Sequence, residues 1–358
     1  MVAKCAVIGC GRMGAQKSER LEGIVPSGWL PISHAESIEQ TDIMSLVAFS
    51  DNDENRLAEV SSDYDVDKKY LDYEKLLKDV QLDIVTVATR TPMKFDIIKS
   101  SILKGVRGIY VEKPLSNSLR KTVELLELAD SHRCFLSYGV NRRFHYVYRK
   151  AKELLAEGAI GKLIEVSVEF GCSPLLWTHP HSMDMLTYFG GTPISVRADL
   201  DSNSFNLVSD NIVDSDPLIL SAQIVFEGGV RGSISCGEGG VVRLLGSNGT
   251  MIIHGDGACI QMSTKSESHS PYFHDQKFIT PQAPKGATKV AFEELAKVVQ
   301  GNISEEEFIE KISPNDILYG QQLLLGCAWS HLNSNKYIDI DTIPSDLTVT
   351  GKNGQYFA

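Results

Sequence analysis

The chain has 358 residues, 42% of them apolar and 23% charged, with a formal net charge of −11; that length favours two domains that need neither disulfide nor metal to fold. The acidic balance argues against nucleic acid and anionic membrane surfaces as partners. No apolar run approaches the ~20 residues of a membrane span, and the opening Met-Val-Ala-Lys-Cys-Ala-Val-Ile-Gly lacks the long apolar core of a signal peptide.

The first ~125 residues alternate between short apolar runs and helix-like stretches, the pattern of βαβ units. Ala3–Ile8 reads as a strand that runs into Gly9-Cys10-Gly11-Arg12-Met13-Gly14, which is expected to open a helix. Leu46–Ser50 is a second strand, stopping at Asp51, and Glu54–Ser61 and Tyr73–Asp79 read as helices. Ile84–Ala88 is a third strand, followed by a helix over Phe95–Lys104 that Gly105 closes. Gly108–Val111 is a fourth strand and ends at Glu112-Lys113-Pro114; Ser118–Ser131 is a helix and Cys134–Tyr138 a fifth strand. Continuous apolar strands between helices predict a parallel sheet covered on both faces.

The pattern then changes. Tyr148–Glu157 reads as a helix and Lys162–Phe170 as a strand. Ile194–Leu200, Leu218–Phe226, Val230–Ser235, Val242–Leu245 and Met251–His254 read as further strands, and Thr288–Gln300 and Pro314–Leu332 as helices. Strands grouped without intervening helices imply an antiparallel or mixed sheet. The expected class is therefore α/β followed by α+β: a dinucleotide-binding domain over residues 1–140, then residues 141–358 built on one large sheet. Ser263–Pro284 reads as a surface excursion, and Asp199–Asp216, with five aspartates, as a solvated loop rather than a calcium site. The seven cysteines are odd in number and form no C-x-x-C pair, so a reducing cytoplasm is expected and no metal centre.

Gly9-x-Gly11-x-x-Gly14 directly after the first strand is a dinucleotide fingerprint in its proper context. Gly9 permits the tight turn, Gly11 lets a pyrophosphate approach the backbone, and Gly14 lets helix pack on strand. Asp51 ends the second strand, where an acid accepts from the adenosine ribose and repels a 2′-phosphate. With no adjacent arginine, this favours NAD over NADP. Asp51 lies 37 residues past Gly14, against the ~20 expected. Gly23–Thr41 therefore reads as an insertion before the second strand. Its Trp29, Pro31 and His34 are candidates to line a cleft, although a packed surface loop is the plainer reading. Thr89 and Arg90 follow the third strand and are candidates for the ribose–nicotinamide half; Arg90 reads equally well as exposed. Pro114 constrains the turn that carries Lys113, a candidate to stabilise charge developing on a substrate oxygen.

These residues resemble the Gfo/Idh/MocA family, the glucose–fructose oxidoreductase and inositol dehydrogenase group. The resemblance rests on GCGRMG at 9–14, Asp51, LDIVTVATRTP at 82–92, YVEKPLS at 110–116 and NRRFHYVYRKAKELLAEGAIGKL at 141–163. HPHSMDMLTYFGG at 179–191 and VRLLGSNGTMIIHG at 242–255 extend it. It implies an N-terminal Rossmann domain holding NAD(P), with Arg12 and Met13 in the cofactor loop, and a C-terminal domain with a large open mixed sheet. It implies reversible oxidation of a secondary alcohol on a sugar, cyclitol or sugar derivative, nucleotide and acidic sugars included. Lys113 would bind the reacting oxygen, Glu112 would help hold the cofactor near nicotinamide, and His181 would take the hydroxyl proton. Asp184, three residues on and on the same helical face, would orient that imidazole. A homodimer or homotetramer through the C-terminal sheet is also implied.

Departures from the family pattern are specific. Trp177 stands where many members carry an aspartate, and it is a candidate to stack on a sugar face. His179 replaces a common glycine and is a candidate second acid–base group, while Lys94 stands where histidine is frequent. Arg143, with Arg142, opens the crossover and reads either as an ion-pair residue joining the domains or as a clamp for a carboxylate or phosphate. Two other functions share this pattern: transient use of tightly bound NAD in elimination or epimerisation, and non-catalytic NAD sensing.

Overall fold

The computed structural model describes residues 2–265, 273–280 and 285–351. Six parallel strands form the first sheet: β1 (Ala3–Ile8), β2 (Met44–Ser50), β3 (Lys69–Tyr70), β4 (Ile84–Val87), β5 (Gly108–Val111) and β6 (Phe135–Tyr138). Their order is β3-β2-β1-β4-β5-β6. The chain direction across the sheet reverses between β1 and β4, and the carboxyl ends of those strands flank the crevice where such sheets bind ligands. β4 and β5 are wholly buried, as their continuous apolar sequence requires.

The expected helix after the glycine loop is not continuous. Gly11–Gln16 makes one turn, closed by the amides of Ala15 and Gln16 on the Gly11 carbonyl. The chain then leaves on an excursion and returns as α1 (His34–Glu39). The amides of His34 and Ala35 bond the carbonyls of Met13 and Gly14 at 2.8 and 2.9 Å, so α1 stacks on the turn it was expected to continue. The long spacing to Asp51 therefore comes from a segment spliced into the first helix, not one placed before β2. Ser33 caps α1, and the Glu36 carboxylate accepts from the Ser18 amide at 2.8 Å at the start of the excursion.

The remaining helices of this half are α2 (Glu54–Asp63), α3 (Tyr73–Asp79), α4 (Thr91–Leu103) and α5 (Leu119–Ser131). α4 starts at Thr91, four residues earlier than expected, with Pro92 in its first turn, where proline costs no hydrogen bond.

The second half begins with α6 (Tyr146–Ala156), β7 (Leu163–Glu169), α7 (His179–Gly190) and β8 (Pro193–Leu200). Short β9 (Leu207–Ser209) and β10 (Ile212–Val213) follow, then β11 (Ile219–Phe226), β12 (Arg231–Ser235), β13 (Val241–Gly246) and β14 (Gly249–His254). After them come β15 (Cys259–Lys265), β16 (Phe273–Ile279), α8 (Ala287–Val299), α9 (Glu305–Ile309), α10 (Pro314–Leu332), β17 (Ile338–Asp339) and β18 (Thr348–Val349). A mixed nine-stranded sheet runs β16-β15-β14-β13-β7-β12-β11-β8-β17, and β9, β10 and β18 form a small sheet beside it. Alternate residues such as Val166 and Val168, or Ala222, Ile224 and Phe226, face the core, the period-two burial of a sheet covered on one side.

Three expectations need amendment. Ser263–Pro284 is not simply an excursion: β15 and β16 pair antiparallel at the sheet edge, while the rest of that call lies outside the described residues. The acidic stretch before β11 sends Asp216 inward, 5% exposed. The chain also returns to its first core after the second sheet, since Ala291, Phe292, Leu295 and Ile317 pack with Ile8, Ile109 and Val111. No helix among the described residues is long and apolar enough to cross a membrane.

Candidate active site between the two sheets

A cavity of about 1100 Å³ opens at the carboxyl ends of β1, β4 and β5 and extends to the second half. At one end lies the glycine loop. Gly9 has a φ of 90°, and a Cβ there would sit 2.8 Å from the Ala88 backbone. A Cβ at Gly14 would sit 1.8 Å from the Gly9 carbonyl oxygen, whereas nothing lies within 4 Å of one at Gly11. Two glycines are thus demanded by packing, and the third leaves open backbone toward the cavity. That cradle fits a dinucleotide pyrophosphate. Arg12, Met13, Thr89 and Arg90 line the same cavity.

Asp51 lines the cavity at the end of β2, its carboxylate accepting from the Cys10 amide at 2.7 Å and the Asp53 amide at 3.0 Å. The folded chain brings Arg56, not adjacent in sequence, to 3.5 Å from Asp51, and Arg56 also faces Asp53 at 3.6 Å. The balance at this end stays acidic.

In the middle of the cavity, Glu112-Lys113-Pro114 leaves β5 through a cis Lys113–Pro114 bond. Glu112 accepts from His34 Nε2 at 3.3 Å. Burial pushes the Glu112 carboxyl up, but His34, Lys113 and Lys94 outweigh it and hold the group below the usual range. Lys113 Nζ donates to the Trp177 carbonyl at 2.5 Å and lies 4.4 Å from the centroid of the Trp177 ring. Burial lowers the Lys113 amine to about 8; Glu112 and Asp216 oppose that fall and Arg142 adds to it. His181 enters from α7 and lines the same cavity. Its Nδ1 is buried with no hydrogen-bond partner among the described residues. Burial first, then Arg142, Lys113 and His179, drive its pKa well below 6.5, so it is neutral at pH 7 and able to accept a proton.

Lys113, Trp177 and His181 therefore converge, but three other expected site residues do not join them. Asp184 shares a helical face with His181 in sequence, yet its carboxylate turns to Arg143, accepting at 2.6 Å from one terminal nitrogen and 3.0 Å from Nε. Arg143 is fully engaged, also donating to the Lys311 carbonyl and meeting Asp316 at 3.2 Å. Both residues are buried away from the cavity, so Asp184 does not orient the imidazole and Arg143 is no substrate clamp; together they pin α7 to the start of α10. His179 is fully buried with Nδ1 on the Ser182 hydroxyl at 3.0 Å. Burial lowers it to about 4, and it does not reach the cavity.

Residues with weak or no sequence signal complete the site. Arg142 grips Asp256 with two 2.8 Å hydrogen bonds, and the Tyr148 hydroxyl donates to the same carboxylate at 2.8 Å. Trp29, from the excursion, donates to the Asp256 carbonyl at 2.8 Å and stacks on His145 at 5.0 Å. The excursion is thus a strap tying the glycine-loop end to the second sheet. His34 was a candidate to line the cleft; it lies instead behind Glu112, wedged against Tyr110 and Phe292.

Residues 3–140 match the model of an oxidoreductase family with an NAD-binding Rossmann fold. That family is Gfo/Idh/MocA, and the likeness to it lies in this first domain. Among relatives of the family, the myo-inositol 2-dehydrogenase of Thermotoga maritima is 32% identical over 140 residues, 39% of this chain and 42% of that protein. The match spans about two fifths of the length of the curated relatives. Solved structures share the fold over nearly the whole chain. An inositol dehydrogenase homologue from Azotobacter vinelandii, complexed with NADH and myo-inositol, has a TM-score of 0.73 at 17% identity, covering 94% of this chain and 97% of its own. A levoglucosan dehydrogenase with NADH and levoglucosan has a TM-score of 0.73 at 16% identity, covering 95% and 100%.

Proposed function

We propose that this chain is an NAD-dependent dehydrogenase acting on a secondary alcohol of a sugar, cyclitol or related polyol. The meeting of the Lys113 ammonium and the neutral His181 imidazole in the cavity that holds the glycine loop carries this reading. NAD, held by Gly9, Gly11, Arg12, Met13 and Asp51, supplies hydride acceptance and return. Lys113, charged at pH 7, donates to the substrate oxygen and stabilises the negative charge it gains. His181 accepts the hydroxyl proton in the oxidising direction and returns it in the other. Glu112, buried behind Lys113, keeps the amine charged despite its burial. Trp177 offers an aromatic face to a sugar ring.

The relatives named for myo-inositol and levoglucosan support a polyol substrate, and the acidic adenosine end supports NAD over NADP. The described cysteines are all free, which suits a reducing cytoplasm. The exposed Ile164, Ile194 and Leu220 on strands of the second sheet suit a homodimer or homotetramer. The test is NADH absorbance with myo-inositol, scyllo-inositol and levoglucosan. Turnover in the wild type that Lys113→Met and His181→Ala abolish, with NADH still bound, supports the reading; no turnover on any of them, or full turnover in either variant, removes it.

A further inference from the structure

Two successive residues link two charged groups across the cavity. The Leu176 amide donates to Asp216 Oδ1 at 2.7 Å, and the carbonyl of the following residue, Trp177, accepts from Lys113 Nζ at 2.5 Å. Asp216 is 5% exposed and lines the cavity together with Lys113 and His181. Pro217 and Leu218 lead from it into β11, so a strand start fixes its position. We propose that Asp216 is a substrate-reading acid: its carboxylate accepts a hydrogen bond from the hydroxyl beside the reacting carbon and, across the Leu176–Trp177 backbone, stands as a second anion facing Lys113.

This inference rests on the reading of Lys113 and His181 as the reacting groups. A carboxylate is an acceptor only, so it pairs with a hydroxyl and repels a carboxylate or phosphate on the substrate. It therefore narrows the substrate class to neutral polyols. The position four residues before His181 holds Trp177, which brings no charge; the anion comes from a different loop, 40 residues from the Leu176 amide that holds it. The groups facing Lys113 are Glu112 beside it, Lys94 from α4, Arg142 from the crossover, His181 from α7 and Asp216. Glu112 and Asp216 are the anions among them, so removing either charge lets the amine lose its proton at lower pH.

The test compares wild type, Asp216→Asn and Asp216→Glu. Kinetics are measured with NAD and myo-inositol, then levoglucosan. Loss of one hydrogen bond to a buried charge predicts a KM raised about tenfold or more in Asp216→Asn, with Asp216→Glu recovering part of it and NADH affinity unchanged by fluorescence. Lys113 is titrated separately, without substrate, by NMR after 13C-methylation, its signal assigned by its loss in Lys113→Arg. Its pKa falls in Asp216→Asn and is kept in Asp216→Glu. An unmoved KM or an unmoved Lys113 titration in folded Asp216→Asn overturns the proposal. Failure of the underlying reading looks different: wild type reduces no NAD with any polyol or Lys113→Met keeps full turnover, and the substrate-free titration then decides the Asp216–Lys113 link alone.

Discussion

The Lys94 ammonium donates to the main-chain carbonyls of Glu112, Lys113 and Pro114, at 2.5, 2.9 and 2.9 Å. One fully buried cation thus holds the whole turn that presents Lys113, and all three of its donors are satisfied. Burial lowers Lys94 to about 7, with Glu112 opposing and Lys113 adding to the fall. Lys94→Met leaves three carbonyls without their donor, at a cost of about 1–3 kcal/mol for each group left buried and unsatisfied. The expected outcome is a lower thermal midpoint and a kcat reduced about tenfold or more, with KM for NAD little changed. Steady-state kinetics beside differential scanning fluorimetry checks it.

The pH profile follows from two opposite shifts. Lys113 must be charged, and its pKa of about 8 puts the loss of kcat/KM on the alkaline side of that value. His181 must be neutral, and its lowered pKa puts the acid limb well below 6.5. Between the two, neither group adds a slope of its own. A profile recorded from pH 5 to pH 10 with a fixed polyol checks this, and a rate still climbing past pH 9 assigns activity to the neutral amine instead.

Arg143 and Asp184 form a buried pair, and breaking such a pair leaves an uncompensated charge worth about 3–5 kcal/mol. Arg143→Ala is therefore expected to lower the unfolding midpoint sharply. Asp184→Asn is expected to destabilise while leaving both limbs of the pH profile in place, because the carboxylate does not touch His181. Thermal unfolding and the same pH series separate this structural role from a catalytic one.

Asp51 takes two backbone amides and faces Arg56. In the proposed function, Asp51→Ala removes the acceptor for the adenosine ribose and the repulsion of a 2′-phosphate, while Arg56 remains. NADH affinity is expected to fall about tenfold or more, and the preference for NADH over NADPH to shrink or reverse. Fluorescence titration with both cofactors reads the change directly.

Much of this was legible from local pattern. The strand-then-glycine context located one end of the cavity, and Glu112-Lys113-Pro114 after a buried strand pointed to its middle. Helical spacing failed for Asp184, because three-residue periodicity says which residues share a face but not what packs on it. Here a buried arginine 41 residues upstream in the chain claimed that carboxylate. His179 looked like an acid–base group because histidine in a helix near the site carries no mark of burial. The strap was visible only as an excess of residues before Asp51. Its splice point inside the first helix emerges from hydrogen bonds to Met13 and Gly14 that no sequence period encodes. Asp216 sat in a run of aspartates whose composition reads as solvated, and only the fold turns one of them inward.

The account stands on Lys113 and His181 serving one reaction beside a bound nicotinamide. The most direct measurement is single-turnover NAD reduction by myo-inositol and levoglucosan in wild type, Lys113→Met and His181→Ala, each shown beforehand to bind NADH. The account predicts NADH formation in the wild type on at least one polyol and a fall of about 10²–10⁴ in each variant. NADH formation at the wild-type rate in either variant would contradict it.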